Sequence, residues 1–205
     1  MTLKILNLYS GIGGNRLLWK DVKVTAVENN PEIAAIYQDL FPDDKVIITD
    51  SKVYLLNNFK DFDFIWASPP CQSHSQIRYN LGVLNRNTQP LYPDMSLYQI
   101  ILFLQWYYKG KWAVENTRSF YEPLIKPQYI GKHYIWSNFH ITDYDINNRN
   151  HRNGTVETLQ DRKQINLDKY KITNKRQILR NCVEPELGLH IFECAFKLQQ
   201  STLGD

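Results

Sequence analysis

Apolar runs alternate with helical periodicities through the first two thirds of this 205-residue chain. Short apolar runs from Ile5 to Leu8, Val22 to Val27, Val46 to Ile48, Phe62 to Ala67 and Trp112 to Val114 predict strands. Between them, the spacing from Arg16 to Lys20, Pro31 to Leu40, Lys52 to Asn57 and Ser96 to Tyr108 predicts helices. The alternation predicts an α/β fold, a doubly wound, mostly parallel sheet with helices on both faces. Tyr134 to Ile141 and Leu187 to Leu198 add a later strand and a closing helix. The length suits one compact domain over residues 1–205 and is short for two.

Two stretches interrupt this pattern. Residues 72–93 are polar and rich in turn formers, including Ser73, His74, Ser75, Arg78, Asn80, Gly82, Arg86, Asn87 and Pro90. A loop of that length inside a domain suits a lid over a site. Residues 142–175 form a polar, basic insertion centred on Asn147 to Gly154. Over residues 140–180, nine Lys and Arg stand against five Asp and Glu. Two readings stand for it, a solvated insertion and a nucleic-acid contact surface.

In doubly wound sheets, ligands bind outside the carboxyl ends of the strands. The unusual residues of this chain fall on that edge. Ser10-Gly11-Ile12-Gly13-Gly14 follows the first predicted strand, Glu28-Asn29-Asn30 ends the second, and Asp50 follows the third. Ser68-Pro69-Pro70-Cys71-Gln72 follows the fourth, and Glu115-Asn116 ends the fifth. The glycines let a ligand approach the backbone, and Glu28 suits the two hydroxyls of a ribose, as in an adenosine-bearing cofactor. Arg16 stands where a dinucleotide fingerprint has its last glycine, and no Gly-Lys-Ser/Thr follows, so a compact cofactor is expected over a diphosphate. A tight structural turn is the competing reading.

Cys71 follows two prolines, which fix the backbone and remove two N–H donors, so its thiol leaves the sheet edge in a defined direction. It reads as a nucleophile against the alternative of an inert buried cysteine, the reading preferred for Cys182 and Cys194. Glu115 reads as an active carboxyl or as an ordinary ion-pair partner. His74 has no second ligand at helical spacing, so a solvated loop histidine is expected and no metal site is indicated. Three cysteines without a C-x-x-C pair indicate neither a disulfide framework nor zinc. Together with the lack of a charged leader or a bilayer-length apolar stretch, this predicts a soluble cytoplasmic protein with no membrane partner. The net charge of +3 permits nucleic-acid binding without establishing it.

In order and content these residues resemble the cytosine-5 DNA methyltransferase family, which uses S-adenosylmethionine on a class I methyltransferase fold. Tyr9-Ser10-Gly11-Ile12-Gly13-Gly14 resembles the family's first cofactor motif, Glu28 its ribose-binding acid, with Asn29 beside it, and Asp50 the acid near the adenine. Pro69-Pro70-Cys71-Gln72 resembles the catalytic motif, with Ser68 and Pro70 expected on the cofactor, and Glu115-Asn116 resembles the Glu-Asn pair. Asn181-Cys182-Val183 resembles the last cofactor motif, although Arg180 holds its glycine position.

The resemblance implies a methyl transfer to carbon 5 of a cytosine flipped from duplex DNA, as in restriction–modification, through a covalent Cys71 adduct. Glu115 would protonate ring nitrogen 3. Two departures qualify it. The family's Gln-x-Arg-x-Arg motif is replaced by Gly131-Lys132-His133-Tyr134-Ile135-Trp136, so Lys132 or His133 is expected to substitute. Residues 142–175 are also too few for a full target recognition domain. A separate specificity subunit or a dimer, an RNA substrate such as tRNA, and a catalytically silent nucleic-acid-binding subunit therefore remain as alternatives.

Overall fold

The computed structural model describes residues 2–144 and 154–196. Seven strands form one sheet: β1 (Leu3–Leu8), β2 (Val22–Glu28), β3 (Lys45–Ile48), β4 (Phe64–Ala67), β5 (Lys111–Thr117), β6 (Gln128–Ile130) and β7 (His133–Ser137). Their order is β3-β2-β1-β4-β5-β7-β6. The first five run parallel, and β7 lies antiparallel to both β5 and β6. The fold is Rossmann-like and doubly wound. Strand order reverses at β1 and β4, so the crevice beyond their carboxyl ends is the switch point of the sheet.

The strands are apolar on both faces because helices cover both faces. Side chains alternate along each strand, so Leu6, Leu8, Ile65, Ala67 and Val114 enter one cluster while Ile5, Phe64, Trp66 and Ala113 enter the other. The first cluster is sealed by Leu97, Ile101 and Leu104 of α5 (Ser96–Tyr107), and the second by Leu187 and Ile191 of α8 (Pro185–Phe196). Each such fully buried aliphatic side chain stabilises the fold by about 1.5–3 kcal/mol.

Local chemistry sets the helix starts on the functional edge. The Asn30 side chain accepts the backbone N–H groups of Glu32 and Ile33 and Pro31 occupies the first turn, opening α1 (Pro31–Leu40) directly after β2. The Asp50 carboxylate accepts the N–H groups of Lys52 and Val53, both at 2.9 Å, opening α2 (Ser51–Asn58).

Three expectations need correction. Arg16 to Lys20 forms no helix. Successive turns run there, with Arg16 N–H donating to Gly13 O and Trp19 N–H to Arg16 O. The Arg16 guanidinium is committed to Asp44 at 2.9 and 3.0 Å and to Trp19 O at 2.7 Å, and these long-range bonds outcompete the local periodicity. Residues 72–93 are also not all loop: α3 (Gln76–Arg78), a π-helical turn (Tyr79–Val83) and α4 (Leu84–Arg86) run without a break. Finally, the polar insertion contributes α6 (Val156–Lys163), and α7 (Lys175–Asn181) begins at its end. Both pack on the turn after β1 through Ile12, Ile36, Leu159 and Leu179. Asn147 to Asn153, the centre of that insertion, lies outside the described residues.

Candidate active site

Beyond the carboxyl ends of β1, β2, β4 and β5 lies a cavity of about 570 Å³. The turn after β1 forms one wall. Tyr9 and Gly11 are left-handed, with φ of 53° each, and Gly13 has φ of 83°. Gly11 N–H donates to Glu28 Oε2 at 3.1 Å and Asn30 N–H to Glu28 Oε1 at 2.9 Å, so one carboxylate ties the β1 turn to the end of β2. A β-carbon on Gly14 would lie 2.2 Å from Cys182 Sγ and 2.3 Å from Val183 O, so only glycine lets the segment after α7 close on this turn.

The catalytic-type wall comes from β4 and β5. Ser68 N–H donates to Leu8 O, and the Cys71 carbonyl accepts from the N–H groups of His74 and Ser75 at 3.0 Å each. Asn116 is buried and donates from Nδ2 to Pro69 O at 3.0 Å, while its Oδ1 accepts Thr117 N–H. Asn116 therefore pins the Pro-Pro turn that carries Cys71. Burial, and then the charge of Glu115, push the Cys71 thiol up to about 11. His74 departs from its expected solvated state. It is 1% exposed, and its Nδ1 lies 2.6 Å from the Tyr121 hydroxyl.

Glu115 is 8% exposed and sits opposite Ile135 in the β5–β7 pairing, with Thr117 opposite His133. That register puts Glu115 and His133 on one face, two positions apart. His133 Nδ1 lies 2.7 Å from Glu115 Oε1, and His133 Nε2 lies 3.7 Å from Glu184 Oε2. Glu184 is held in turn by Arg162 and by Lys163 Nζ at 3.2 Å, and Lys163 also donates to Cys182 O. Burial pulls the Lys163 ammonium down to about 8.

Of the residues singled out in the sequence, Tyr9, Ser10, Gly11, Ile12, Gly14, Glu28, Asn29, Ser68, Pro70, Cys71, Gln72, Glu115, Lys132, Asn181 and Val183 line this one cavity. Gly13, Asp50 and Asn116 are not among the residues that line it. Gly13 abuts the Phe41 and Tyr37 rings, Asp50 caps α2, and Asn116 braces Pro69. Sequence reasoning missed Arg162, Lys163 and Glu184. The first two sit in a stretch whose polarity resembles ordinary surface, and nothing local marks Glu184 as a partner of His133.

The donors and acceptors present fit an adenosine-bearing cofactor. The cavity is of small-molecule size, Glu28 retains acceptor capacity beyond its two backbone bonds, and the buried Ser10 hydroxyl on the wall has no partner among the described residues.

Residues 3–99 match the family model for C-5 cytosine-specific DNA methylase. No curated protein matches the chain in the sequence comparison. Among solved structures, a mutant of DNMT2 from Spodoptera frugiperda is 28% identical, with a TM-score of 0.41, over 60% of this chain and 38% of that one. The Entamoeba histolytica methyltransferase EhMeth is 18% identical, with a TM-score of 0.40, over 60% of this chain and 41% of its own. An S-adenosylmethionine-dependent methyltransferase from Agrobacterium tumefaciens is 15% identical, with a TM-score of 0.40, over 59% and 40%. The chain thus spans well under half the length of these three matched chains. Over residues 3–99 the chain is similar to the C-5 cytosine-specific DNA methylase family, a likeness that supports S-adenosylmethionine as the cofactor.

Proposed function

We propose that residues 1–205 act as one catalytic domain, a DNA (cytosine-5)-methyltransferase that works through a covalent Cys71 adduct. The observation that carries this reading is the convergence of Cys71, Glu115 and the glycine turn after β1 on a single cavity. Glu28 and the Ser10 hydroxyl, unpaired among the described residues, are suited to the nucleoside part of the cofactor, Gly11, Ile12 and Gly14 to its close approach, and Asn181 and Val183 to the opposite wall. S-adenosylmethionine, when bound, supplies an electrophilic methyl group.

The chain's own residues prepare the base. A cytosine stacked in duplex DNA cannot reach a half-buried thiol, so the base must leave the helix. Cys71 loses its thiol proton to solvent and its sulfur adds to ring carbon 6. The displaced double-bond electrons make carbon 5 nucleophilic, and nitrogen 3 takes a proton through Glu115, whose carboxylate first takes one up from solvent in place of the one Cys71 released. After carbon 5 is methylated, its proton leaves to a base in the site, water included. The carbon 6–sulfur bond then breaks and nitrogen 3 returns its proton to Glu115. Asn116 acts one step back, fixing the turn that aims Cys71, and Gln72 and Lys132 border the opening through which the base enters. Target recognition falls to the basic residues of 142–175 or to a second subunit.

The test is a denaturing gel after incubation with S-adenosylmethionine and duplex DNA containing 5-fluorocytosine. Fluorine cannot leave carbon 5 as a cation, so the adduct is trapped. A cofactor-dependent adduct is expected with the native protein and none with Cys71→Ala. An adduct on 5-fluorocytosine RNA alone would overturn the DNA substrate, and none on either nucleic acid would overturn the covalent reading.

A further inference from the structure

The side chains behind Glu115 form a connected line that runs from His133, in the segment that replaces the arginine motif, to Glu184 and on to α6. His133 stands between two carboxylates, 2.7 Å from Glu115 Oε1 through Nδ1 and 3.7 Å from Glu184 Oε2 through Nε2. Glu184 is clamped by Arg162 and Lys163 of α6, and Lys163, 3% exposed, is anchored again on the Cys182 carbonyl. Imidazole is a rigid ring with polar atoms on opposite edges, so a ring fixed at one edge fixes what lies at the other.

Glu115 alone would not hold one orientation. A glutamate has three side-chain torsions, and its carboxyl end rotates broadly unless something bonds to it. In Glu115, Oε1 meets His133, and Oε2 has no bond to any described residue, which leaves it for the base. The cross-strand register explains how His133 arrives there. Glu115 and His133 are diagonal neighbours on the same face of an antiparallel pair, within reach of long side chains.

We infer that His133 is the positioning residue for Glu115, fixing one carboxyl oxygen so that the other meets ring nitrogen 3, and that Glu184, held by Arg162 and Lys163, fixes His133. This inference rests on the methyltransferase reading above. It gives α6, the helical part of the basic insertion, a structural task at the reacting centre. It also separates His133 from Lys132: Lys132 is exposed at the cavity mouth, whereas His133 is bonded inward.

The test compares His133→Ala, His133→Asn and Glu184→Gln with the native protein. The first readout is the rate of adduct formation on 5-fluorocytosine DNA at saturating DNA and cofactor, with binding of each measured separately. His133→Ala is expected to slow the saturated rate by about tenfold to a hundredfold with cofactor and DNA affinities unchanged, since misplacing a reacting group by an ångström costs on that order. Asparagine can place an amide nitrogen near the Nδ1 position, so His133→Asn should recover much of the loss. Glu184→Gln, which keeps the shape of the side chain, should fall between the native protein and His133→Ala. An unchanged rate in His133→Ala overturns the inference, and so does a loss that asparagine does not relieve or that tracks weakened cofactor binding.

A second readout does not depend on turnover. In protein carrying ¹⁵N-labelled histidine, the His133 ring-nitrogen signals should shift on Glu115→Gln. If the native protein forms no adduct but these signals shift, the methyltransferase reading fails while the His133–Glu115 coupling stands. If the signals do not respond, the coupling is overturned whatever the adduct assay reports.

Discussion

Cys71 illustrates how much a residue's chemistry depends on its surroundings. A cysteine reacts as its thiolate, yet burial and the neighbouring Glu115 charge push this thiol up to about 11, so it is protonated in the ligand-free protein at neutral pH. A raised value means that the thiolate fraction keeps climbing with pH beyond the range of an ordinary cysteine, by about tenfold for each unit below 11. Alkylation of Cys71 by iodoacetamide, followed by mass spectrometry, should therefore still accelerate between pH 9 and 10. Glu115→Gln removes the second cause and should move that profile to lower pH. A native rate that levels off near pH 8.5 would mean that Cys71 is an ordinary exposed thiol. Cys71 and Glu115 could be picked out in the chain because each is a reactive type placed where an apolar strand ends. His74 could not be read correctly, because its neighbours suggest a solvated loop while its ring is buried against Tyr121.

The turn after β1 shows what an element asks of its residues. Gly11 and Gly13 are both left-handed, but a β-carbon on Gly11 would meet open space, whereas one on Gly13 would lie 2.4 Å from the Phe41 ring and 2.8 Å from Tyr37. Gly11→Ala should thus cost about 1–2 kcal/mol of backbone strain. Gly13→Ala should cost a further ~1–3 kcal/mol from overpacking. Denaturant unfolding of both variants measures the difference, and equal losses would show that packing on α1 does not govern the turn. The same turn explains why the helix predicted from Arg16 to Lys20 fails: three glycines, Gly11, Gly13 and Gly14, precede it and Arg16 is drawn to Asp44. The parallel strands were legible because burial on both faces leaves near-continuous apolar runs. β6, with three residues and no run of its own, was not.

At the scale of the whole molecule, the cavity is closed by segments far apart in the chain. The glycine turn near residue 11, the Pro-Pro-Cys turn near residue 70 and the residues from 159 to 184 meet around it. A ligand that binds only this assembled wall stabilises the fold as a unit. S-adenosylmethionine at a hundredfold excess over its dissociation constant should add about 2.7 kcal/mol of stability. Thermal unfolding with and without cofactor reads this directly. Glu28→Ala should abolish the shift at the same cofactor concentration, and a full shift in that variant would remove Glu28 from the binding wall. Among the described residues, no helix is long and apolar enough to cross a membrane.

Strand and helix alternation, the meeting of Cys71 and Glu115 at neighbouring strand ends and the cofactor class could all be read from the chain. Each of these is written in local spacing: two-residue or helical periodicity, a proline pair, a glycine turn. The tertiary structure alone decided what lies behind Glu115. His133 reaches it through an antiparallel register, Glu184 through the start of α8, and Arg162 and Lys163 through a helix whose polarity resembles a solvated surface. Contacts between side chains distant in sequence leave no periodic trace, because they are set by how the strands and helices pack rather than by any one segment.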